Sequence, residues 1–128
     1  MILVDASVLI DYLRSKDPKL DNLFRSLPLA ICGVTRAEIL AGARGDDDRN
    51  RLMKFLGTFR QLLIADSSWD VVGETLSSLY ASGVTVPFPD AVIAALAIEN
   101  RMDIWARDPH FPMMQKSLPL LGLFQEPP

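Results

Sequence analysis

Four acidic residues, Asp5, Glu38, Asp90 and Asp108, each stand where one local pattern gives way to another. Asp5 ends the apolar run Ile2-Leu3-Val4, and Ser7 leads into Val8, Leu9, Ile10, Tyr12 and Leu13 at helical spacing. Glu38 follows Thr35 by three residues, just past the apolar run Leu29 to Cys32 and its breaker Gly33. Asp90 precedes Ala91-Val92-Ile93-Ala94-Ala95-Leu96-Ala97-Ile98, and Asp108 follows Ile104-Trp105-Ala106. Every one has an ordinary local explanation. Asp5 or Ser7 can cap a first helix, as can Asp90 for its own. Thr35 and Glu38 have capping-box spacing. Asp108-Pro109 suits a cap with proline at the first helical position.

The four caps can also be one site. In a parallel α/β sheet, strand carboxyl ends and helix amino ends share one rim, where such sheets bind ligands. If the strands are neighbours the carboxylates converge, and a pair about 5 Å apart repels by roughly 3 kcal/mol at an effective dielectric near 20. Either some of these groups stay protonated or a hard divalent cation such as Mg²⁺ or Mn²⁺ offsets the charge. Oxygen ligands disfavour zinc, and one cysteine and one histidine cannot supply a usual structural zinc set. Arg36 and Arg107, each close to an acid, are candidate phosphate contacts. Asp46, Asp47 and Asp48 read as the acidic start of a helix, favoured by its dipole. His110 reads as a turn residue, because no Gly-x-Ser-x-Gly elbow presents a nucleophile for it to activate.

Positioning those acids requires a particular order of elements. The runs Ile2 to Val4, Leu29 to Cys32, Leu62 to Ala65 and Ile104 to Ala106 predict buried parallel strands. Helical stripes fall between them: Val8 to Leu13, Leu20 to Leu27, the stretch from Thr35, Leu52 to Phe59, and Val71 to Tyr80 closed by Gly83. The helix from Asp90 is apolar on nearly every side and must be buried on nearly every side. Leu118 to Leu123 predicts a last short edge strand before a frayed Pro-Pro end. Strand, crossover and strand in this rhythm predict an α/β domain.

The 128 residues, 49% hydrophobic and 23% charged, suit a single domain spanning 1–128 that folds without a metal or disulfide staple. The formal charge of −3 leaves no strong basic field to announce a nucleic acid, although local arginine clusters can still contact phosphates. Cys32 reads as a small buried hydrophobe. The first apolar stretch lacks a basic flank and is interrupted by Asp5 and Asp11, so neither a signal peptide nor a membrane span is expected, and a cytoplasmic protein is.

With those residues in view, the sequence resembles the PIN-domain family, and more narrowly the VapC-type toxin ribonucleases of bacterial toxin–antitoxin pairs. The matches are Val4-Asp5-Ala6-Ser7-Val8-Leu9-Ile10, Thr35-Arg36-Ala37-Glu38-Ile39 with Gly42 after it, Asp90-Ala91-Val92-Ile93-Ala94-Ala95, and Arg107-Asp108-Pro109-His110-Phe111. They run in family order over nearly the whole chain. The resemblance implies a three-layer α/β/α sandwich with a central, mainly parallel sheet. It also implies a Mg²⁺- or Mn²⁺-dependent endoribonuclease acting on RNA, a cognate antitoxin, and a homodimer or higher toxin–antitoxin assembly. Asp5, Glu38, Asp90 and Asp108 would form the catalytic and metal-binding quartet, with Ser7 hydrogen-bonding within the site where substrate binds. The sequence departs from the family at Ala106, where a Thr or Ser hydroxyl often stands two residues before the last acid.

Three alternatives compete. A receiver-like domain would need paired acids after the first strand and a lysine after the last, and a haloacid-dehalogenase-like phosphatase a second Asp where Ser7 stands. A catalytically weak interaction module of the same fold would not require all four acids.

Overall fold

Strands buried on both faces need apolar residues throughout, and helices packed on those faces need only one apolar stripe. A computed structural model describes residues 1–128 and shows this division. The order is β1 (Ile2–Val4), α1 (Ala6–Arg14), α2 (Pro18–Ser26), β2 (Leu29–Cys32), α3 (Gly33–Ala41), α4 (Asp46–Leu56), β3 (Arg60–Leu62), α5 (Ser68–Ala81), α6 (Phe88–Glu99), β4 (Asp103–Trp105) and α7 (His110–Gln115). The sheet order is β3-β2-β1-β4, and every pairing is parallel. All four strand carboxyl ends therefore lie on one rim.

Alternation along the strands divides the core in two. Leu3, Ala30, Cys32 and Ile104 face α5, α6 and α7, joined there by Val72, Leu79, Phe111 and Met114. Ile2, Val4, Leu29, Ile31 and Trp105 face the other way, onto α1 to α4, with Val8, Leu20, Ile39, Leu52 and Leu56. The result is a three-layer α/β/α sandwich. As its composition demands, α6 is buried from Ala91 to Ala97.

Two expected strands differ. β3 covers Arg60–Leu62 instead of Leu62 to Ala65, pairing Ala30 with Arg60 and Cys32 with Leu62. It is an edge strand whose Arg60 and Gln61 are exposed, so apolarity does not locate it, and Leu63 beyond it is 84% exposed. The expected strand over Leu118 to Leu123 reduces to one parallel bridge, Ile104 with Leu123. The Ile104 N–H donates to the Gly122 carbonyl and the Phe124 N–H to the Ile104 carbonyl. The terminus beyond it is tied down, because Glu126 accepts from Trp105 Nε1 at 2.9 Å and from Arg107. No helix is long and apolar enough to cross a membrane.

Candidate active site

Asp5 is placed by two elements at once. Val4 ends β1, and the Asp5 N–H donates to the Trp105 carbonyl of β4, which fixes the residue at the rim. Its side chain caps α1, with Oδ2 accepting the Ser7 N–H at 3.1 Å and the Ser7 hydroxyl at 2.6 Å. The residue is 5% exposed, and Oδ1 accepts no hydrogen bond from the protein. Capping and availability for chemistry are not alternatives here, since each uses a different oxygen. Ser7 Oγ also accepts the Arg107 N–H at 2.9 Å, so one hydroxyl ties the end of β1 to the loop after β4.

Glu38 and Asp90 do not cap. α3 begins at Gly33 with Cys32 before it, and no side chain caps it. Thr35 lies inside the helix, buried, its hydroxyl directed at Cys32 Sγ, so the capping box is absent and Glu38 falls on the second turn. α6 begins at Phe88, with two prolines stiffening its start, which puts Asp90 at the third helical position. The helix dipole favours a carboxylate there. Asp90 is 9% exposed, and its Oδ2 meets the ring of His110.

Asp108 is held by its own turn. Its Oδ1 accepts the His110 N–H at 2.8 Å, bridging over Pro109. Such an Asx turn positions the carboxylate without the hydroxyl that Ala106 lacks. The same turn delivers His110, whose Nδ1 is 2.9 Å from Asp90 Oδ2 and 2.9 Å from Asp108 Oδ1. Donor atoms of Asp90, Asp108 and His110 all lie within 4.8 Å of one another. His110 is thus part of the site, a role the sequence reading missed. The available signal was Asp-Pro-His itself, because an aspartate that binds the N–H two residues on brings that residue back over its own carboxylate.

The electrostatics join all four acids. Burial pushes the Asp90 carboxyl above its ordinary range, with repulsion from Asp108 and Asp5 adding to the rise and the His110 hydrogen bond opposing it. Glu38 is exposed as a residue, yet the protein around its carboxyl raises its pKa, as do the charges of Asp5, Asp90 and Asp108. Acids from β1, α3, α6 and the β4–α7 loop therefore repel across a single notch. Hard carboxylate oxygens under mutual repulsion are the donor set that a divalent cation such as Mg²⁺ or Mn²⁺ fits.

The two arginines differ. Arg36 is half-buried and forms no ion pair. Arg107 is not free for a phosphate. Its Nε and Nη2 donate to the two carboxylate oxygens of Glu126 at 2.8 and 2.7 Å, and its Nη1 to Asp11 at 3.1 Å. Those partners, Glu126 first, hold its pKa further above the ordinary guanidinium value. Ser7 is likewise engaged on both sides, as donor to Asp5 and acceptor from Arg107.

Away from the rim, Tyr12, Phe24, Leu27, Phe55 and Phe59 line a cavity of about 330 Å³ between α1, α2 and α4. Tyr12 stacks on Phe24 with ring centroids 4.0 Å apart. These rings pack against the core yet stay partly exposed.

The sequence profile of the PIN domain matches residues 2–116. No curated protein sequence matches the chain. Among solved structures, the chain is similar to a DNA-bound VapBC from Salmonella typhimurium, with a TM-score of 0.81 and 16% identity over 96% of each chain. FitAcB from Neisseria gonorrhoeae gives 0.76 and 21% over 98% of each chain. VapC20 from Mycobacterium tuberculosis, described as a sarcin-ricin loop cleaving toxin, gives 0.63 and 16% over 84% of this chain and 90% of that one. At such identities the likeness establishes the fold.

Proposed function

The chain belongs to the PIN domain family, and from that premise we propose that it is a divalent-metal-dependent endoribonuclease, the toxin of a toxin–antitoxin pair. The observation that carries this reading is the convergence of Asp5, Glu38, Asp90 and Asp108 on one rim, where burial first, and their mutual repulsion after it, raise the pKa of Asp90 and Glu38. The fold shared with VapBC and FitAcB, and the cleaving activity in the description of VapC20, support it.

Asp5, Asp90 and Asp108, with Glu38 completing the shell, would hold Mg²⁺ or Mn²⁺. When bound, the cation supplies Lewis-acid charge beside the scissile phosphate. The chain's own residues do the rest. Ser7 occupies Asp5 Oδ2 and leaves Oδ1 without a hydrogen bond from the protein. Glu38, on the rim beside the other acids, is suited to accept the proton of the attacking water at its carboxylate. The water oxygen bonds to phosphorus, the bond to the leaving ester oxygen breaks, and that oxygen takes a proton from solvent water while Glu38 returns its own to solvent. Arg36, free of ion pairs, is assigned to a substrate phosphate. Arg107 is assigned to the scaffold, where it joins α1 to the C-terminal segment through Asp11 and Glu126.

Residues 1–128 act as a single nuclease domain in the cytoplasm, as a homodimer. The aromatic-lined cavity between α1, α2 and α4 supports an antitoxin segment as partner, because rings left half-exposed at a groove can bury a helix or strand from another chain. Cleavage of labelled RNA with EDTA, Mg²⁺ or Mn²⁺ tests the activity. Cleavage restored by the ion in the wild type and absent in Asp90→Asn is expected; cleavage unaffected by EDTA overturns the reading. Size measurement of the chain alone and co-expressed with its genomic neighbour tests the assembly, and a monomer that ignores the neighbour contradicts it.

A further inference from the structure

The chain contains one histidine, and its ring is inserted between two of the four acids. His110 Nδ1 stands 2.9 Å from Asp90 Oδ2 and 2.9 Å from Asp108 Oδ1. One ring nitrogen has at most one proton to share between both carboxylates. The spacing also fits a second use: with metal–ligand bonds of about 2.1 Å, neighbouring ligands of an octahedron stand about 3.0 Å apart. The ring is held in place by its own element, since the His110 N–H is bound by Asp108 and Phe111 and Met114 of α7 are fully buried.

We propose that His110 is a nitrogen ligand of the divalent cation, sharing it with Asp90 and Asp108 and biasing the site toward Mn²⁺ over Mg²⁺. The proposal rests on the metal-dependent reading above and adds a ligand that an all-carboxylate quartet does not contain. The bias follows because imidazole suits the borderline transition ions, whereas Mg²⁺ favours oxygen and water.

The test is pulsed electron paramagnetic resonance of Mn²⁺ bound to the untagged 128-residue chain. With a single histidine in the chain, any imidazole nitrogen coupling belongs to His110. We expect a ¹⁴N modulation that becomes a ¹⁵N modulation when histidine is supplied as the ¹⁵N form, a comparison that needs no variant. His110→Ala should lose the modulation and bind Mn²⁺ about tenfold more weakly, with a smaller change for Mg²⁺. Mn²⁺ bound at the acids without nitrogen coupling, or bound equally well by His110→Ala, overturns the proposal and leaves the metal-dependent reading standing. No Mn²⁺ binding by the wild type overturns both.

Discussion

Asp90→Asn should make the protein more stable without metal and less stable with it. Four terms set the size of the first effect. An amide avoids the cost of burying a charge, the largest cause of the raised Asp90 pKa. It also removes repulsion from Asp108, whose donor atom lies within 4.8 Å. At that separation two full charges repel by about 3 kcal/mol at an effective dielectric near 20. Because the Asp108 side chain is 28% exposed, roughly half of this survives solvent screening. Against these gains, the His110 contact loses its charged acceptor, a cost of about 1 kcal/mol, and the start of α6 loses a carboxylate that the helix dipole favours, about 0.5 kcal/mol. The net gain is about 1 kcal/mol, or roughly 3–5 °C in Tm for a domain of this size. Mn²⁺ at a hundred times its Kd should then add about 2.7 kcal/mol to the wild type and little to the variant, which lacks one of the proposed ligands. Calorimetric melting in EDTA and in Mn²⁺ reads both effects, and the stability ranking should invert between the two buffers. A variant less stable than wild type in EDTA, with an undiminished gain from Mn²⁺, would refute the reasoning.

Three further outcomes are expected. Ser7→Ala removes the hydroxyl that binds both Asp5 Oδ2 and the Arg107 N–H; urea denaturation should show a loss of about 1–2 kcal/mol, and cleavage should fall with little change in KM. Metal-free protein should gain stability as pH is lowered from neutral into the ordinary carboxylate range. Asp90 and Glu38 have raised pKa values, so the folded state binds more protons than the unfolded one between the ordinary carboxylate range and those raised values. Their penalty is full above the folded values and absent below the unfolded ones, while Asp48 and Glu126, with lowered values, lose their contribution only in stronger acid. Urea midpoints at neutral pH and in the carboxylate range, both in EDTA, check the sign, and Glu38→Gln should flatten the trend. Glu126→Ala leaves Trp105 Nε1 and the Arg107 guanidinium without their shared acceptor; unfolding should cost about 1–2 kcal/mol less, with a shift in tryptophan emission from the folded protein.

How much of this was legible in the sequence depends on what each residue is buried against. β1 and β2 are covered on both faces, so Ile2 to Val4 and Leu29 to Cys32 had to be apolar and were readable at sight. β3 lies at an edge, and its Arg60 and Gln61 give no such signal. Leu118 to Leu123 is apolar because Leu118 and Leu121 enter the core beside α7, not because the segment pairs as a strand. Among the acids, local pattern suggested caps at Glu38 and Asp90, but the helices start earlier than their apolar stripes, at Gly33 and Phe88, and release both side chains toward the rim. The position of His110 was hidden by distance along the chain: its partner Asp90 lies 20 residues away. Arg107 looked available because its partners, Asp11 and Glu126, come from opposite ends of the sequence.

The most direct measurement is anomalous scattering from crystals soaked in Mn²⁺. We expect one strong peak at the sheet rim, about 2.0–2.4 Å from carboxylate oxygens contributed by both Asp5 and Asp90. A peak elsewhere, such as beside Asp46 to Asp48 at the start of α4, or none at the rim, would mean that the four acids do not make a metal site.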